Sequence, residues 1–368
     1  MSALAGEDGA SSSDRRSVDG EDGEGVRACE EGAARVRDGA VRAACSADDA
    51  LSAAPEGAAA DAFPLIDAHC HLDFAGNAQE LAAALAVCGG ALSGTCDPRD
   101  FDRAQHGLAP FASQVRVGLG LHPWWVADGA CGPDEVALFE RLAARVPLIS
   151  EVGLDFQPRR EATRDAQMEA FARVCQAAAK PLEGPHAGDP CAGDVAAAGG
   201  ETRAAEGDVV AAGGSMASER IEEIAGHALE IADKPPSFKR VMSIHSSKAA
   251  SETLDILGRT GCLDACTCVF HWFSGSQDEL SRAIDAGCLF SVNERMLKTK
   301  RGRAYARAIP EDRLLLETDA PPKPVARFSP ATHVAQLDRT LRLLAEARSA
   351  DPSALAERIA HTSRMLFS

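Results

Sequence analysis

The sequence predicts a closed parallel barrel of eight strand–helix units, (β/α)₈, from three observations. Eight short apolar runs alternate with helix-like stretches. Once two polar segments are set aside, about 250 residues remain, the usual size of such a barrel. No glycine-rich phosphate loop follows the first run, which counts against an open doubly wound sheet.

The strand-like runs are PLID (64–67), ALSGT (91–95), VRVGLG (115–120) and PLISEVG (147–153), then RVMSIH (240–245), TCVFH (267–271), CLFSV (288–292) and RLLLET (313–318). Helical stretches are expected at 78–88, 134–145, 162–179, 248–258, 277–286 and 301–308. The span 99–112 is a poorer helix, interrupted by Gly107 and Pro110. Residues 331–367 read as two helices, with Asp351 as a cap ahead of Pro352.

Residues 1–62 are rich in Gly, Ala, Ser and acidic residues and cannot bury enough apolar area to offset chain entropy. They read as a disordered acidic tail, or as sequence upstream of a true start. Residues 182–238 share this composition and read as a low-complexity insertion between the fourth helix and the fifth strand, with one amphipathic helix at 218–232. Such a connection lies opposite a barrel's catalytic mouth, so the insertion is expected not to touch catalysis. The domain proper is then 63–368.

The formal charge of −17 argues at first against a polyanionic ligand. Residues 1–62 hold 14 acidic and 6 basic side chains, however, and residues 182–238 hold 11 and 3. The rest is close to neutral, compatible with a phosphate substrate met through bound cations. No apolar run is long enough to cross a membrane, and no signal-peptide core stands at the N-terminus. The 12 cysteines have no framework spacing and read as reduced thiols of a cytoplasmic protein. Cys262, Cys266 and Cys268, although near His271, read as small buried residues rather than a zinc knot.

The chemistry concentrates where apolar runs end. In DAHCHLDF, His69 and His71 project to one side of a strand while Ala68 and Cys70 project to the other. His122 follows the third strand, Glu151 lies late in the fourth, His245 ends the fifth, His271 ends the sixth, and Asp319 follows the eighth. A closed parallel barrel brings these ends to one mouth. A carboxylate inside PLISEVG is costly to bury unless paired or on a metal. Four histidines and two carboxylates exceed the three protein ligands of one catalytic zinc, so two divalent ions are expected, Zn, Mn or Mg. Glu151 would bridge them and hold a hydroxide between them. His69, His71 and Asp319 would complete one ion, and His245 with His271 the other. Asp319 is also placed as general base. His122 is left to orient a substrate oxygen.

The ordered series DAHCHLDF, SGTC, GLHP, SEVGLDF, SIHSS, FHWFSGS and LLLETDAPP resembles the TatD family of metal-dependent deoxyribonucleases. The resemblance covers residues 64–367 apart from the insertion. It implies a TIM barrel, two divalent metals, and hydrolysis of DNA phosphodiesters, often from a 3′ end. The matching positions His69, His71, Glu151, His245, His271 and Asp319 are implied to be the metal ligands. The chain departs from the family pattern at Trp272-Phe273-Ser274-Gly275 and at Asn293-Glu294-Arg295-Met296, which bears on substrate choice. Trp124 and Trp272 are expected to stack on bases, with Trp125 and Phe273 packing loops over the rim. Arg295, with Lys298, Lys300, Arg301 and Arg303, forms a basic run that reads either as a phosphate track or as a solvated helix face. The expected partner is single-stranded DNA or a 3′ end, and the expected state a monomer. The alternatives are hydrolysis of a small-molecule ester or amide on the same centre, and a non-catalytic barrel.

Overall fold

The computed structural model describes residues 64–183 and 239–366. The tail 1–62 and most of the insertion, including 218–232, lie outside the described residues. The strands are β1 (Leu65–Cys70), β2 (Gly89–Gly94), β3 (Val115–Leu121), β4 (Leu148–Asp155), β5 (Arg240–Ser247), β6 (Cys266–His271), β7 (Leu289–Val292) and β8 (Leu314–Leu316). Each pairs in parallel with the next, and β8 returns to β1 through Asp67 and Leu316, closing the barrel. All eight expected strands are present.

Parallel strands leave the sheet at the same end, so side chains late in each strand share one mouth. Below that mouth, Ala68, Leu92, Leu148, Val241, Val269, Leu289 and Leu315 come from seven strands and form one buried cluster with Leu366. This cluster fills the barrel and leaves the strand ends free for polar groups. Helices cover the outside, packing through residues such as Phe139, Phe171, Ile256 and Leu344.

Strict alternation fails in β1. Ala68 belongs to the interior cluster, whereas Cys70 packs outside with Leu72, Leu81 and Leu85. The pairing of β1 with β2 shifts between Asp67 and Cys70, and this irregularity places Ala68 and Cys70 on different faces.

The helices at Ala78–Cys88, Pro133–Ala143, Arg164–Ala178, Ala250–Arg259, Gln277–Asp285 and Lys300–Ala308 follow the expected segments within a few residues. The weak span resolves into helix Phe101–Leu108 between two 3₁₀ turns, Pro98–Asp100 and Ala109–Phe111. The last two helices are Pro330–Arg348 and Pro352–Arg364, and the Asp351 side chain accepts from the Ala354 N–H at 2.9 Å. Three short helices have too few residues for a readable period: Pro123–Ala127, Cys262–Ala265 and Glu294–Leu297.

Beside the site, close approach requires a glycine at position 153. Gly153 has φ +139°, and a Cβ there would run into the His245 carbonyl. The β4–β5 contact beside the site therefore depends on a bare backbone. The thiols of Cys262, Cys266 and Cys268 are buried and point at main-chain carbonyls, those of Cys175, Ala178 and Cys262 in turn.

Leu315 is fully buried in the interior cluster, while Val87 is 90% exposed. Leu315→Ala should cost about 2–5 kcal/mol in urea unfolding, and Val87→Ala almost nothing. Equal effects would contradict the assigned core.

Candidate metal centre

Glu151 stands at the centre of the mouth, buried to 3% exposure. Its Oε2 faces His71 Nε2 at 3.0 Å, His69 Nε2 at 3.8 Å and Cys96 Sγ at 3.6 Å. Its Oε1 faces His122 Nε2 at 3.1 Å, His271 Nε2 at 3.2 Å and His245 Nδ1 at 3.4 Å. The two oxygens thus divide five imidazoles between them. Asp319 joins the Oε2 side, with its Oδ1 3.5 Å from His71 Nε2. His271 lies near the boundary, its ring stacked on His69 at 4.0 Å.

The rings of His71, His69 and His245 are aimed by what their other nitrogen touches. His71 Nδ1–H donates to the Gly94 carbonyl at 2.9 Å, leaving the Nε2 lone pair for the centre. His69 Nδ1 meets Ser243 Oγ at 2.7 Å. His245 Nε2 meets Asp155 Oδ2 at 3.2 Å, and His271 Nδ1 lies 3.9 Å from Glu317 Oε1. Among the described residues, His69 Nε2 and both nitrogens of His271 are buried without a hydrogen-bond partner. Buried orphan nitrogens facing a shared carboxylate are the donor set a divalent cation completes.

His122 differs. Its Nδ1 accepts from the Trp124 N–H at 3.0 Å, so a neutral ring carries its proton on Nε2. Burial lowers its pKa to about 4, keeping the ring neutral near pH 7. His122 therefore presents an N–H to the centre, which suits a donor better than a ligand.

Burial works to raise the Glu151 pKa, but His122 and His71 outweigh it and hold the carboxyl well below its ordinary range. Burial works to lower His271, yet Glu151 and Glu317 raise it to about 10. His71 is also raised against burial, by Cys96, Glu151 and Asp319. Asp155 is pulled to about 2, its burial overcome by His245 and by the Trp124 indole N–H, 2.6 Å away.

The two ligand-bearing segments at the barrel's seam share a buried brace. Asp67 Oδ1 accepts from the N–H groups of Thr318 at 3.0 Å and His69 at 3.3 Å. Asp67 Oδ2 accepts from the Thr318 hydroxyl at 2.6 Å and meets His333 Nε2 at 2.8 Å. Asp319 then sits at φ 54°, a left-handed conformation that Asp tolerates better than most residues, with its N–H on the His69 carbonyl.

The rim aromatics sort themselves by contact. The Trp124 indole braces Asp155, and Arg160 lies 4.2 Å above its ring, so one of its faces is taken. Trp272 is half-buried, with Arg295 5.7 Å from its ring. Phe273 is 2% exposed, packed against Phe270, Phe290 and Tyr305, and Trp125 packs against the core. Within the basic run, Lys298 pairs with Glu294, and Arg303 donates to the carbonyls of Leu297 and Lys298.

Asp155, Glu317, Asp67 and His333 are additions to the residues expected from sequence. Asp155 and Glu317 carry the same sign that marked Glu151, a carboxylate within an apolar strand. His333, on a helix distant in sequence, carries none.

A family model described as "TatD related DNase" matches residues 66–183 and 214–368. The chain belongs to the TatD family. A protein named 3'-5' ssDNA/RNA exonuclease TatD from Musicola paradisiaca is 34% identical over 110 residues, 27% of this chain and 40% of that protein. A deoxyribonuclease Tat-D from Schizosaccharomyces pombe is 49% identical over 53 residues, 14% of this chain and 17% of that protein. The chain thus spans less than half the length of the curated relatives it matches. Among solved structures, a TatD homolog from Escherichia coli aligns with TM-score 0.51 and 19% identity, covering 82% of this chain and 97% of that one. A TatD family hydrolase from Entamoeba histolytica aligns with TM-score 0.55 and 13% identity, covering 83% and 98%. These two likenesses establish the TatD barrel as a fold.

Asp155→Asn removes the charge behind His245. It should weaken divalent-metal binding roughly 10- to 100-fold in a chelator competition and leave the circular-dichroism spectrum unchanged. Wild-type affinity in the variant would show that Asp155 does not serve the centre.

Proposed function

We propose that this TatD protein hydrolyses phosphodiester bonds of single-stranded DNA from a 3′ end, using two divalent cations held on either side of Glu151. The observation that carries the reading is the division of the imidazoles between the two oxygens of that one carboxylate. His69, His71 and Asp319 would hold one ion, and His245 and His271 the other, each sharing Glu151. The names of the curated relatives support nucleic acid as substrate and the 3′-to-5′ direction. Zn, Mn and Mg all suit mixed imidazole and carboxylate donors.

Bound divalent cations supply a nucleophile from water at neutral pH and offset charge on phosphoryl oxygens. The chain's own groups do the rest. Asp319 has 18% of its side chain exposed, the most open of the ligand carboxylates. Burial would raise its pKa, but His71 and His271 lower it, so its oxygen is free to take the proton of the attacking water. His122 keeps its Nε2 proton and donates it as a hydrogen bond toward a phosphate oxygen. The apolar layer below the mouth bars water from the barrel side.

All nine cysteines among the described residues are free thiols, which supports a reducing, cytoplasmic setting. Among the same residues, no helix is long and apolar enough to cross a membrane.

Purified full-length protein should shorten 5′-labelled single-stranded DNA with Mn, Mg or Zn and fail after EDTA. Asp319→Asn should lower kcat about 10²- to 10⁴-fold. Turnover of esters or amides but not DNA would favour the small-molecule alternative, and full activity of the variant would remove the role of Asp319.

The raised His71 and His271 hold protons that ligation must displace. Adding Mn or Zn to metal-free protein at pH 7.5 should therefore release protons, seen by calorimetry in buffers of different ionisation enthalpy. Binding without proton release would contradict this assignment.

A further inference from the structure

On the β7–β8 side of the mouth, a small cavity of about 170 Å³ opens between Thr318, helix Glu294–Leu297 and helix Pro330–Arg348. It adjoins the metal centre through two residues of its lining. Thr318 directly precedes Asp319, and Asn293 donates from Nδ2 to Glu317 Oε1 at 2.8 Å. The cavity is smaller than a site for a drug-sized molecule and suits a single group such as a phosphate.

What the lining leaves unspent decides the sign of that group. The Thr318 hydroxyl is taken by Asp67 and His333. The Asn293 carboxamide is taken by Glu317 and the Met296 N–H. The Thr340 hydroxyl donates to the Gln336 main-chain carbonyl at 2.9 Å, and Gln336 Oε1 is itself buried. The Glu294 carboxylate is met by Lys298 at 2.8 Å and by Arg339 at 3.3 Å. Arg295 is exposed, and among the described residues its guanidinium pairs with no carboxylate; it faces the Trp272 ring, 5.7 Å from the ring centre. A contact with a ring face uses none of its N–H groups, and the Lys298 ammonium has more donors than its one carboxylate takes. The opening therefore presents accessible cationic donors, the complement of a phosphate.

We propose that this cavity seats the phosphate on the 5′ side of the scissile one, held by Arg295 and Lys298, so that the strand is gripped at two successive phosphates. The inference rests on the nucleic-acid reading above and adds a second anchoring point to it. A strand cut from its 3′ end has its remaining phosphates on the 5′ side, so only that neighbour is available. Of the basic run read from the sequence, Arg295 and Lys298 line the cavity, whereas Lys300, Arg301 and Arg303 do not. A backbone grip of this kind carries no base preference. Arg295 is then a substrate-binding residue outside the metal ligands.

Two thymidine substrates given to the full-length protein with Mn, Mg or Zn test this: TpT, which has only the scissile phosphate, and TpTpT, which has one more. Wild-type kcat/KM should be roughly tenfold higher for TpTpT. Arg295→Gln should remove most of that preference by raising KM for TpTpT rather than by lowering kcat. Arg301→Gln, in the same basic run but outside the cavity, should keep it. A second arm needs no turnover: fluorescence anisotropy of a fluorescein-labelled thymidine oligonucleotide with EDTA present. There the slope of log Kd against log salt should shrink by one phosphate's share, roughly 0.7, in Arg295→Gln. Equal kcat/KM for the two substrates, as a seat for free phosphate alone would give, would overturn the proposal. So would a preference kept in Arg295→Gln, one lost equally in Arg301→Gln, or an unchanged salt slope. Cleavage of neither substrate with any metal, alongside a salt slope that depends on Arg295, would instead count against the nuclease reading and leave the phosphate seat standing.

Discussion

The structure is organised around one buried carboxylate. Glu151 sits where an isolated negative charge would cost several kcal/mol in lost hydration. Five imidazoles approach it from four different segments, which no local stretch of chain could arrange. A closed parallel sheet makes this convergence possible, because every strand delivers its last side chains to one rim. The centre is therefore a property of the barrel's closure as much as of its ligands.

Approach alone does not aim a ring. Three of the imidazoles are oriented by a second contact drawn from the sheet: the Gly94 carbonyl for His71, the Ser243 hydroxyl for His69 and the Asp155 carboxylate for His245, with Glu317 lying 3.9 Å from His271. Glu317 is fixed in turn by Ser291 and Asn293. At the seam between β8 and β1, Asp67 gathers Thr318, His333 and the His69 N–H into one network. That network holds two ligand-bearing segments at a set spacing even before any cation binds. Preorganisation of this kind lets a site favour the transition state rather than merely bind substrate.

Much of this was legible in the sequence. The eight apolar runs fell on the eight strands, and the histidines and carboxylates at their ends met at one mouth, as parallel topology requires. Glu151 was readable because a carboxylate in an apolar strand demands a partner. Asp155 and Glu317 carry the same mark, a carboxylate in or beside an apolar strand. The face assigned to Ala68 and Cys70 was wrong because a pairing irregularity is a property of two strands, invisible in either alone. His333 was out of reach because a helix residue more than 250 positions from Asp67 meets it only through tertiary packing. Trp124 looked like a free stacking platform, since its sequence neighbours do not include Arg160. Residues 1–62 and the insertion beyond Glu183 lie outside the described structure, so their expected character stands as a reading of composition.

The central claim is that Glu151 joins two cations. An anomalous difference map from crystals of the full-length protein loaded with Mn²⁺ tests it most directly. The account predicts two peaks roughly 3.5–4 Å apart, one against each oxygen of Glu151. A single peak remote from Glu151, or none at saturating metal, would contradict it.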